Sequence, residues 1–400
     1  MRDLEFQATD WPEITLGDVC TFRGGSGFRE SHQGRTTGDH PFIKVSDLTI
    51  EGNEKYITVA QNWVSAAVLR ELRATLQPPG AVVFAKVGAA LKLNRRRILG
   101  RPTAIDNNMM AAIPDEQRLD GEFLYYFLLM QDLGRFSQES AVPSVNQGHL
   151  SSIEISLPPL PEQRKIAEIL RTWDEALEKL TAIRTEKVRR ISSLRQRLFE
   201  AEYASHNRLQ RARDLFETVS ERARPDLPLL AVMQDIGIVR RDELDRRVAM
   251  PDGDTSTYKV VRPGDFVISL RSFEGGLEYS SIIGLVSPAY TVLRPTTDLI
   301  GDYYRHFFKS RSFIGRLDKL IFGIRDGKQI AFRDFGDMYI PAPPVTEQVA
   351  QARALGSLEA DFALEDERIA ALTRQKRGLM QKLLTGEWRV ATAEATEVAQ

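Results

Sequence analysis

The chain has 400 residues, of which 42% are hydrophobic and 27% charged, and its formal net charge at pH 7 is -1. This composition indicates a globular protein of about two to four domains and argues against collagen-like, disordered and membrane classes. No apolar run is long enough to span a membrane, and no apolar signal region follows the N-terminus, so we expect a cytoplasmic protein. The single cysteine, Cys20, excludes an internal disulfide and a thiolate zinc site.

Two globular segments are predicted, each followed by a charged helical segment. Residues 1–157 are expected to form a mixed α and β domain, with a strand at 81–85 and a helix over 121–133. Residues 204–342 are expected to form a second such domain, with strands at 265–270 and 290–293 and a helix over 302–320. Residues 389–400 follow the last predicted helix and are expected to be a disordered tail.

An internal repeat organises the chain. The segment Ile155-Ser-Leu-Pro-Pro-Leu-Pro-Glu-Gln163 matches Ile340-Pro-Ala-Pro-Pro-Val-Thr-Glu-Gln348 at a shift of 185 residues. The same shift pairs Leu194-Arg-Gln-Arg-Leu198 with Leu379-Met-Gln-Lys-Leu383, and Pro79-Gly80 faces Pro263-Gly264 within one residue of it. The chain is therefore predicted to be a tandem of two similar units.

Long helices are predicted over residues 158–203 and 343–388, each beginning at a diproline and each carrying an apolar heptad seam. The two seams are expected to bury each other in a coiled coil; the alternative is that each helix packs on its own globular domain. Polar residues interrupt the seams at Arg184, Lys187, Gln351, Glu365 and Lys376. The predicted seam residues are Leu170, Trp173, Leu177, Leu180, Ile191, Leu194, Leu198, Leu355, Leu358, Phe362, Ile369, Leu372, Leu379 and Leu383.

Motifs for catalysis are missing from the sequence. Gly327-Lys328 is followed by Gln329 rather than by the Ser or Thr of a phosphate-binding loop. The Asn/Asp-Pro-Pro-Tyr/Phe motif that an amino-methyltransferase needs is absent, and the five histidines show no metal-ligand spacing. We therefore predict no catalytic residue, no metal site and no cofactor in this chain.

Basic and amide side chains recur in the predicted loops of both globular segments. Such side chains bind phosphates and read base edges, although a run of arginines is also typical of a solvated surface. The candidate DNA-binding residues are Arg23, Lys86, Lys92, Asn94, Arg95, Arg96, Arg97, Asn146 and Gln147 in the first segment, and Arg271, Ser272, Tyr279, Arg325, Lys328 and Gln329 in the second. Gly24, Gly25, Asn107, Asn108 and Ser144 occur in the same predicted loops.

A family resemblance rests on several motifs. Leu157-Pro-Pro-Leu-Pro-Glu-Gln-Arg-Lys-Ile-Ala-Glu-Ile-Leu170, followed by a heptad helix, resembles the domain-to-helix junction in specificity subunits of type I restriction-modification systems. The opening WPEITLGDVCTFRGG (11–25), Ser144-Val-Asn-Gln-Gly-His-Leu150 and Phe322-Gly-Ile-Arg-Asp-Gly-Lys328 are similarly typical of that family. The resemblance covers nearly the whole chain, but Val345-Thr-Glu-Gln-Val-Ala-Gln-Ala352 departs from the usual start of the second helix.

The resemblance implies an α+β protein with two tandem target-recognition domains, related by a pseudo-twofold axis and joined by two long helices in an antiparallel coiled coil. It implies a non-catalytic subunit that reads a bipartite, asymmetric sequence in double-stranded DNA. Two methyltransferase subunits using S-adenosylmethionine, and motor-nuclease subunits using ATP and Mg, are the implied partners. Two other readings stay open: a coiled-coil scaffold whose heads bind proteins, and a tandem RNA-binding protein, for which no RNP-like pattern is present.

Overall fold

The computed structural model describes residues 11–136, 143–234, 237–244, 255–269, 275–321 and 330–391. Compact packing divides the chain into two units, the first formed by residues 1–179 and 369–400 and the second by residues 180–368. Each unit combines one α+β head with parts of two long helices. No helix among the described residues is both long enough and apolar enough to cross a membrane.

The first head, residues 11–159, is built around a five-stranded sheet of strand order β2-β10-β7-β8-β4. A four-stranded sheet (β5-β3-β9-β6) and the pair β1-β11 complete it. Its strands are β1 (Glu13–Thr15), β2 (Cys20–Gly24), β3 (His40–Ile43), β4 (Tyr56–Ile57), β5 (Trp63–Val64), β6 (Leu76–Gln77), β7 (Val82–Ala85), β8 (Arg96–Leu99), β9 (Thr103–Ile105), β10 (Met109–Pro114) and β11 (Glu154–Ser156). Its helices are α1 (Ala66–Leu72), α2 (Ala89–Lys92), α3 (Gly121–Met130) and α4 (Gln147–Ser151).

Strand β7 lies at the centre of this head and is buried on both faces. Val82 and Phe84 join the cluster that contains α3, whereas Val83 joins the cluster on the opposite face with Ile43. A strand covered on both faces needs apolar residues at every position, which explains its uninterrupted apolar sequence. Helix α3 ends at Met130, before the predicted end at residue 133, because the next residue, Gln131, has an extended backbone.

The long helix α5 (Leu160–Ala204) begins directly after the diproline and runs for 45 residues. The second head, residues 205–344, has the strands β12 (Leu209–Arg211), β13 (Phe216–Val219), β14 (Leu230–Met233), β15 (Gly237–Arg240), β16 (Lys259–Val261), β17 (Phe266–Ile268), β18 (Glu278–Tyr279), β19 (Gly284–Val286), β20 (Thr291–Pro295) and β21 (Tyr339–Pro341). Its described helices are α6 (Ala212–Leu215), α7 (Gly301–Phe308), α8 (Arg311–Ile321) and α9 (Phe332–Gly336).

The second head repeats part of the architecture of the first. Its main sheet has the order β13-β20-β17-β18, which corresponds to β2-β10-β7-β8, and the pair β12-β21 corresponds to β1-β11. The single helix predicted over 302–320 is instead two helices, α7 and α8. They are separated at Ser310, whose hydroxyl accepts a hydrogen bond from the Phe313 backbone N–H at 3.2 Å and so starts a new helix.

The repeated Pro-Gly dipeptides form the same turn in both heads. Gly80 and Gly264 have φ angles of +81° and +96°, backbone conformations that residues other than glycine rarely adopt. In each case the backbone N–H of the next residue donates to the carbonyl three residues earlier, at 3.3 Å for Ala81 and 3.0 Å for Asp265. Proline followed by a glycine of positive φ defines a type II turn, and this turn leads into β7 in one head and β17 in the other.

The glutamine of the repeated Glu-Gln motif has a structural role. Gln163 is fully buried; its Oε1 accepts from the Asp120 backbone N–H, and its Nε2 donates to the carbonyls of Arg118 and Pro158, each at 2.8 Å. The equivalent Gln348 accepts from the Ile300 backbone N–H and donates to the Pro343 carbonyl. Each glutamine thus joins the start of a long helix to the start of its head's helix, α3 or α7.

Replacing Gln163 with leucine is expected to destabilise the protein, because three backbone groups in buried or partly buried hydrogen bonds lose their partner. The expected loss in the free energy of unfolding is about 1–3 kcal/mol, measured by urea denaturation. Gln117→Leu, at an exposed position in the same head, is the matched control and should leave stability unchanged. Equal stability of both variants would contradict the bridging role of Gln163.

Helix α10 (Val345–Leu384) runs antiparallel to α5 in each unit. In the first unit Asp174 pairs with Lys376, and in the second Arg184 pairs with Asp366 while Arg195 pairs with Glu359. As the residue numbers rise along α5, the numbers of their partners on α10 fall. All fourteen predicted seam residues are buried or half-buried.

The polar interruptions of the seam pair with polar residues of the opposite helix. In the second unit Arg184 Nε lies 2.8 Å from Asp366, Lys187 Nζ lies 2.8 Å from Glu365, and Gln351 Nε2 donates to Glu202 at 2.7 Å. In the first unit Lys376 pairs with Asp174. Such pairs favour one register of the two helices because a shifted register would leave charges unpaired.

The helix bounds differ slightly from the predicted segments, and each long helix contributes to both units. The prediction that the disordered tail starts at residue 389 is also wrong. Arg389 forms two hydrogen bonds with Glu162, at 2.8 and 3.0 Å, and Val390 packs against the core of the first unit. The rest of the predicted tail, residues 392–400, lies outside the described residues.

Candidate nucleic-acid interface

Four loops of the first head meet where β2 and β7 end and β10 begins. We call residues 24–26, 86–88, 106–108 and 144–147 the loop cluster. Backbone hydrogen bonds hold the loops together: Lys86 N–H donates to the Asn108 carbonyl at 2.9 Å, and Val145 N–H donates to the Lys86 carbonyl at 2.9 Å. Gly88 N–H donates to the Pro143 carbonyl at 2.8 Å, so the loops form one ordered surface.

Gly25 and Asp106 make the closest approach in the loop cluster. A Cβ atom at Gly25 would lie 2.0 Å from the Asp106 carbonyl oxygen, so only glycine fits there. The Asp106 carboxylate accepts from the Asn108 backbone N–H at 3.0 Å and faces its side-chain amide at 3.4 Å. Burial raises the pKa of this carboxyl, and the hydrogen bonds from Asn108 oppose that shift. Asp106 thereby orients the exposed amide of Asn108.

Five of the predicted DNA-binding residues lie in or beside the loop cluster. Arg23 is exposed on β2, Lys86 is half-buried with its ammonium near Gly24, and Lys92 is exposed at the end of α2. Asn146 caps α4, accepting from the His149 backbone N–H at 2.9 Å, and Gln147 is exposed beside it. Together with Asn107 and Asn108 they place cations and amide groups on one surface, the combination that binds phosphates and base edges.

Three predicted contact residues are engaged within the head, and Arg95 beside them is half-buried. Arg96 is fully buried on β8, where its guanidinium stacks over Phe84 and donates to Asn94 Oδ1 at 2.5 Å. Arg97 donates to the carbonyls of Leu48 and Arg96, each at 2.7 Å, and the Asn94 amide donates to the Leu129 carbonyl at 2.7 Å. Burial lowers the pKa of Arg96 to about 10. The prediction of DNA contact is therefore wrong for Arg96, which is fully buried on an inner strand of the sheet, whereas for the half-buried Asn94 and Arg97 it stays a prediction.

In the second head Tyr279 lies on strand β18 rather than in a loop. It pairs with Phe266, the first residue of β17, and therefore lies at the opposite end of that strand from the loop that follows Ile268. Its ring packs 5.1 Å from the Phe266 ring and against Gly301 of α7. Arg271, Ser272, Arg325, Lys328 and Gln329 lie outside the described residues.

Asp106 is the residue of this surface that sequence analysis missed. A carboxylate is not expected in a DNA-binding surface, and its importance depends on its contact with Asn108. The available signal was the run Asp106-Asn-Asn108 directly after the apolar stretch Thr103–Ile105, which is typical of a side-chain-stabilised turn. Among the described residues, no group of three or more His, Cys, Asp or Glu side chains is arranged to hold a metal.

Replacing Lys86 with alanine is expected to weaken binding to DNA of any sequence. Loss of one phosphate contact should reduce the slope of log K against log salt by about one. Lys179→Ala removes the same charge from an exposed position of α5 and should leave affinity and slope unchanged. If Lys86→Ala behaves like Lys179→Ala in salt titrations, Lys86 is not a phosphate contact.

Comparison with known proteins identifies a family model and relatives that are similar to this chain. Residues 8–188 match the family model described as Type I restriction modification DNA specificity domain. The putative type I restriction enzyme MjaX specificity subunit of Methanocaldococcus jannaschii is 20% identical over 339 residues, which are 78% of this chain and 79% of that protein.

Two solved structures share the fold. The S subunit of a type I restriction-modification system from M. genitalium is 13% identical, with a TM-score of 0.51 over 96% of this chain and 98% of that chain. A structure described as the basis of complex assembly and conformational transition of the type I R-M system is 18% identical. Its TM-score is 0.58 over 94% of this chain and 98% of that chain.

The repeated heads and the long helices define a tandem of two similar α+β units. Residues 8–188 thus match a type I restriction modification DNA specificity domain, and most of the chain is similar to type I restriction enzyme specificity subunits.

Proposed function

We propose that this chain reads a bipartite, asymmetric target in double-stranded DNA, one half-site per head. The observation that carries the proposal is the recurrence of one sheet order in both heads, with different sequences around it. Residues 106–108, directly before β10, read Asp-Asn-Asn, whereas residues 288–290, directly before the corresponding strand β20, read Pro-Ala-Tyr. A shared scaffold with divergent loops is suited to reading two different sequences.

The long helices are proposed to bind two methyltransferase subunits and, through them, motor-nuclease subunits. Support comes from apolar side chains that the helix pairing leaves at the surface: in the second unit Ile183 of α5 is 47% exposed and Leu364 of α10 is 45% exposed. The methyltransferase subunits would supply S-adenosylmethionine chemistry, and the motor-nuclease subunits would use ATP and Mg. This chain would contribute sequence recognition without catalysis.

A head exchange tests the proposed function. Residues 210–342 are replaced by the equivalent segment of a relative, the protein is assembled with its methyltransferase subunits, and methylated sites are mapped. We expect one half-site to change and the other to remain. Change in both halves, or in neither, would contradict modular recognition, and capture of unrelated proteins without any methylation would favour the scaffold function. The purified chain alone should transfer no methyl group.

A further inference from the structure

A buried polar contact joins the head of the first unit to both long helices. Tyr126 of α3 is fully buried, and its hydroxyl donates to Asp174 Oδ2 of α5 at 2.5 Å. Lys376 of α10 pairs with the same carboxylate. Lys55, from the head, donates to the Tyr126 hydroxyl at 3.1 Å. The head helix, α5 and α10 therefore meet at one carboxylate.

The second unit contains a matching contact made by different residues. His306 of α7 is 1% exposed, and its Nδ1 lies 3.3 Å from Glu359 Oε1 of α10. Arg195 of α5 donates to the same oxygen at 3.0 Å, and Arg305 lies 2.8 Å from Glu359 Oε2. Burial lowers the pKa of His306 to about 3, so the ring is neutral at ordinary pH. We assign the Nδ1 proton to the Glu359 contact, which leaves Nε2 to accept from Arg305 at 3.4 Å.

The two contacts occupy equivalent positions of the repeat. Tyr126 and His306 are each the sixth residue of their helix, and Asp174 and Glu359 are separated by the repeat shift of 185 residues. In both units the cation comes from the other long helix. Tyrosine, aspartate and lysine in one unit thus correspond to histidine, glutamate and arginine in the other, so the arrangement recurs although each residue differs.

Directional contacts of this kind constrain orientation more than apolar packing does. The neighbouring cores of both heads are apolar and aromatic, and the hydrophobic contacts within them are non-directional. A charge-assisted hydrogen bond has a narrow range of distance and angle. A carboxylate bound from two sides therefore holds the head helix at one angle relative to α5 and α10.

We propose that Tyr126–Asp174–Lys376 and His306–Glu359–Arg195 are positioning junctions that restrict the protein to one gap length between its half-sites. The proposal rests on the proposed function, since it assumes two half-sites. Helix α5 is continuous and contributes Asp174 to one junction and Arg195 to the other. A head that can rotate on this helix would place its half-site over a range of positions along the DNA.

Tyr126→Phe tests the first junction, because it removes only the hydroxyl and keeps the ring in the core. The variant is assembled with its methyltransferase subunits, and methylation is measured on duplexes whose gap is cognate, one base pair shorter or one base pair longer. We expect unchanged half-site sequences and a rise of about tenfold in methylation at altered gaps relative to the cognate gap, equivalent to about 1.4 kcal/mol. Tyr125→Phe, which removes a hydroxyl from the preceding residue, should leave the ratio unchanged.

The ratio of methylation at altered gaps to methylation at the cognate gap separates an effect on positioning from an effect on stability. A less stable protein loses methylation equally at every gap and keeps the same ratio. A folded Tyr126→Phe complex with the wild-type ratio would overturn the proposal. Asp174→Asn alters the same junction at a partly exposed residue. If Tyr126→Phe does not fold, the ratio of methylation at altered gaps to methylation at the cognate gap is measured for Asp174→Asn instead. Failure of the wild-type complex to methylate a bipartite site would instead refute the proposed function, and the junctions with it.

Discussion

Replacing Gly25 with valine is expected to eliminate recognition of the first head's half-site. The new Cβ would lie 2.0 Å from the Asp106 carbonyl oxygen and 2.3 Å from that of Ile105, so one of the two loops must move. Either movement displaces Asn107 and Asn108 from Arg23 and Lys86. Loss of two contacts worth about 1–3 kcal/mol each corresponds to a loss of affinity of at least about 30-fold.

Gly27→Val provides the control for this experiment. Gly27 lies two residues along the same chain segment, is exposed, and has no atom within 4 Å of a Cβ placed on it. Affinities of the assembled complexes are measured by titration of labelled DNA, and circular dichroism checks that both variants fold. Equal binding by the two valine variants would mean that the loop cluster does not contact DNA.

Adding one heptad to each long helix is expected to lengthen the gap between the half-sites by roughly three base pairs. Seven helical residues add ~10 Å, and duplex DNA rises about 3.4 Å per base pair. We place the insertions after Thr185 and after Glu365. This choice keeps Arg184–Asp366 on one side of the insertion and the pairs of Lys187 with Asp361 and Glu365 on the other, so these interhelical pairs and the apolar period survive.

Methylation mapping of the lengthened protein should show the same half-site sequences with a longer gap between them. A heptad inserted only after Thr185 is the control. It leaves the helices unequal in length, and we expect it to reduce methylation at every gap because the seam loses its register. An unchanged gap in the doubly extended protein would mean that something other than these helices determines the distance.

The DNA-binding candidates show where inference from sequence reached its limit. Residues 95–97 form the most basic run of the first head, yet Arg96 and Arg97 donate to groups inside the head. Composition cannot distinguish an arginine that stacks on Phe84 from one that faces solvent, since this depends on which strands flank β8. Arg23, Lys86 and Asn146 meet near the loop cluster because β2, β7 and β10 are neighbours, and their order in the sheet is not the order of the chain.

Local and periodic features were determined by the sequence itself. The 185-residue repeat, the starts of α5 and α10 after their diprolines, the seam positions and the Pro-Gly turns follow from side-chain spacing and backbone restriction within a few residues. The tertiary structure decided which polar residues become partners: Gln163 with the backbone of residues 118–120, Tyr126 with Asp174, and Arg389 with Glu162. These contacts join residues 43 or more positions apart, so they depend on how the strands and helices pack together and not on local sequence.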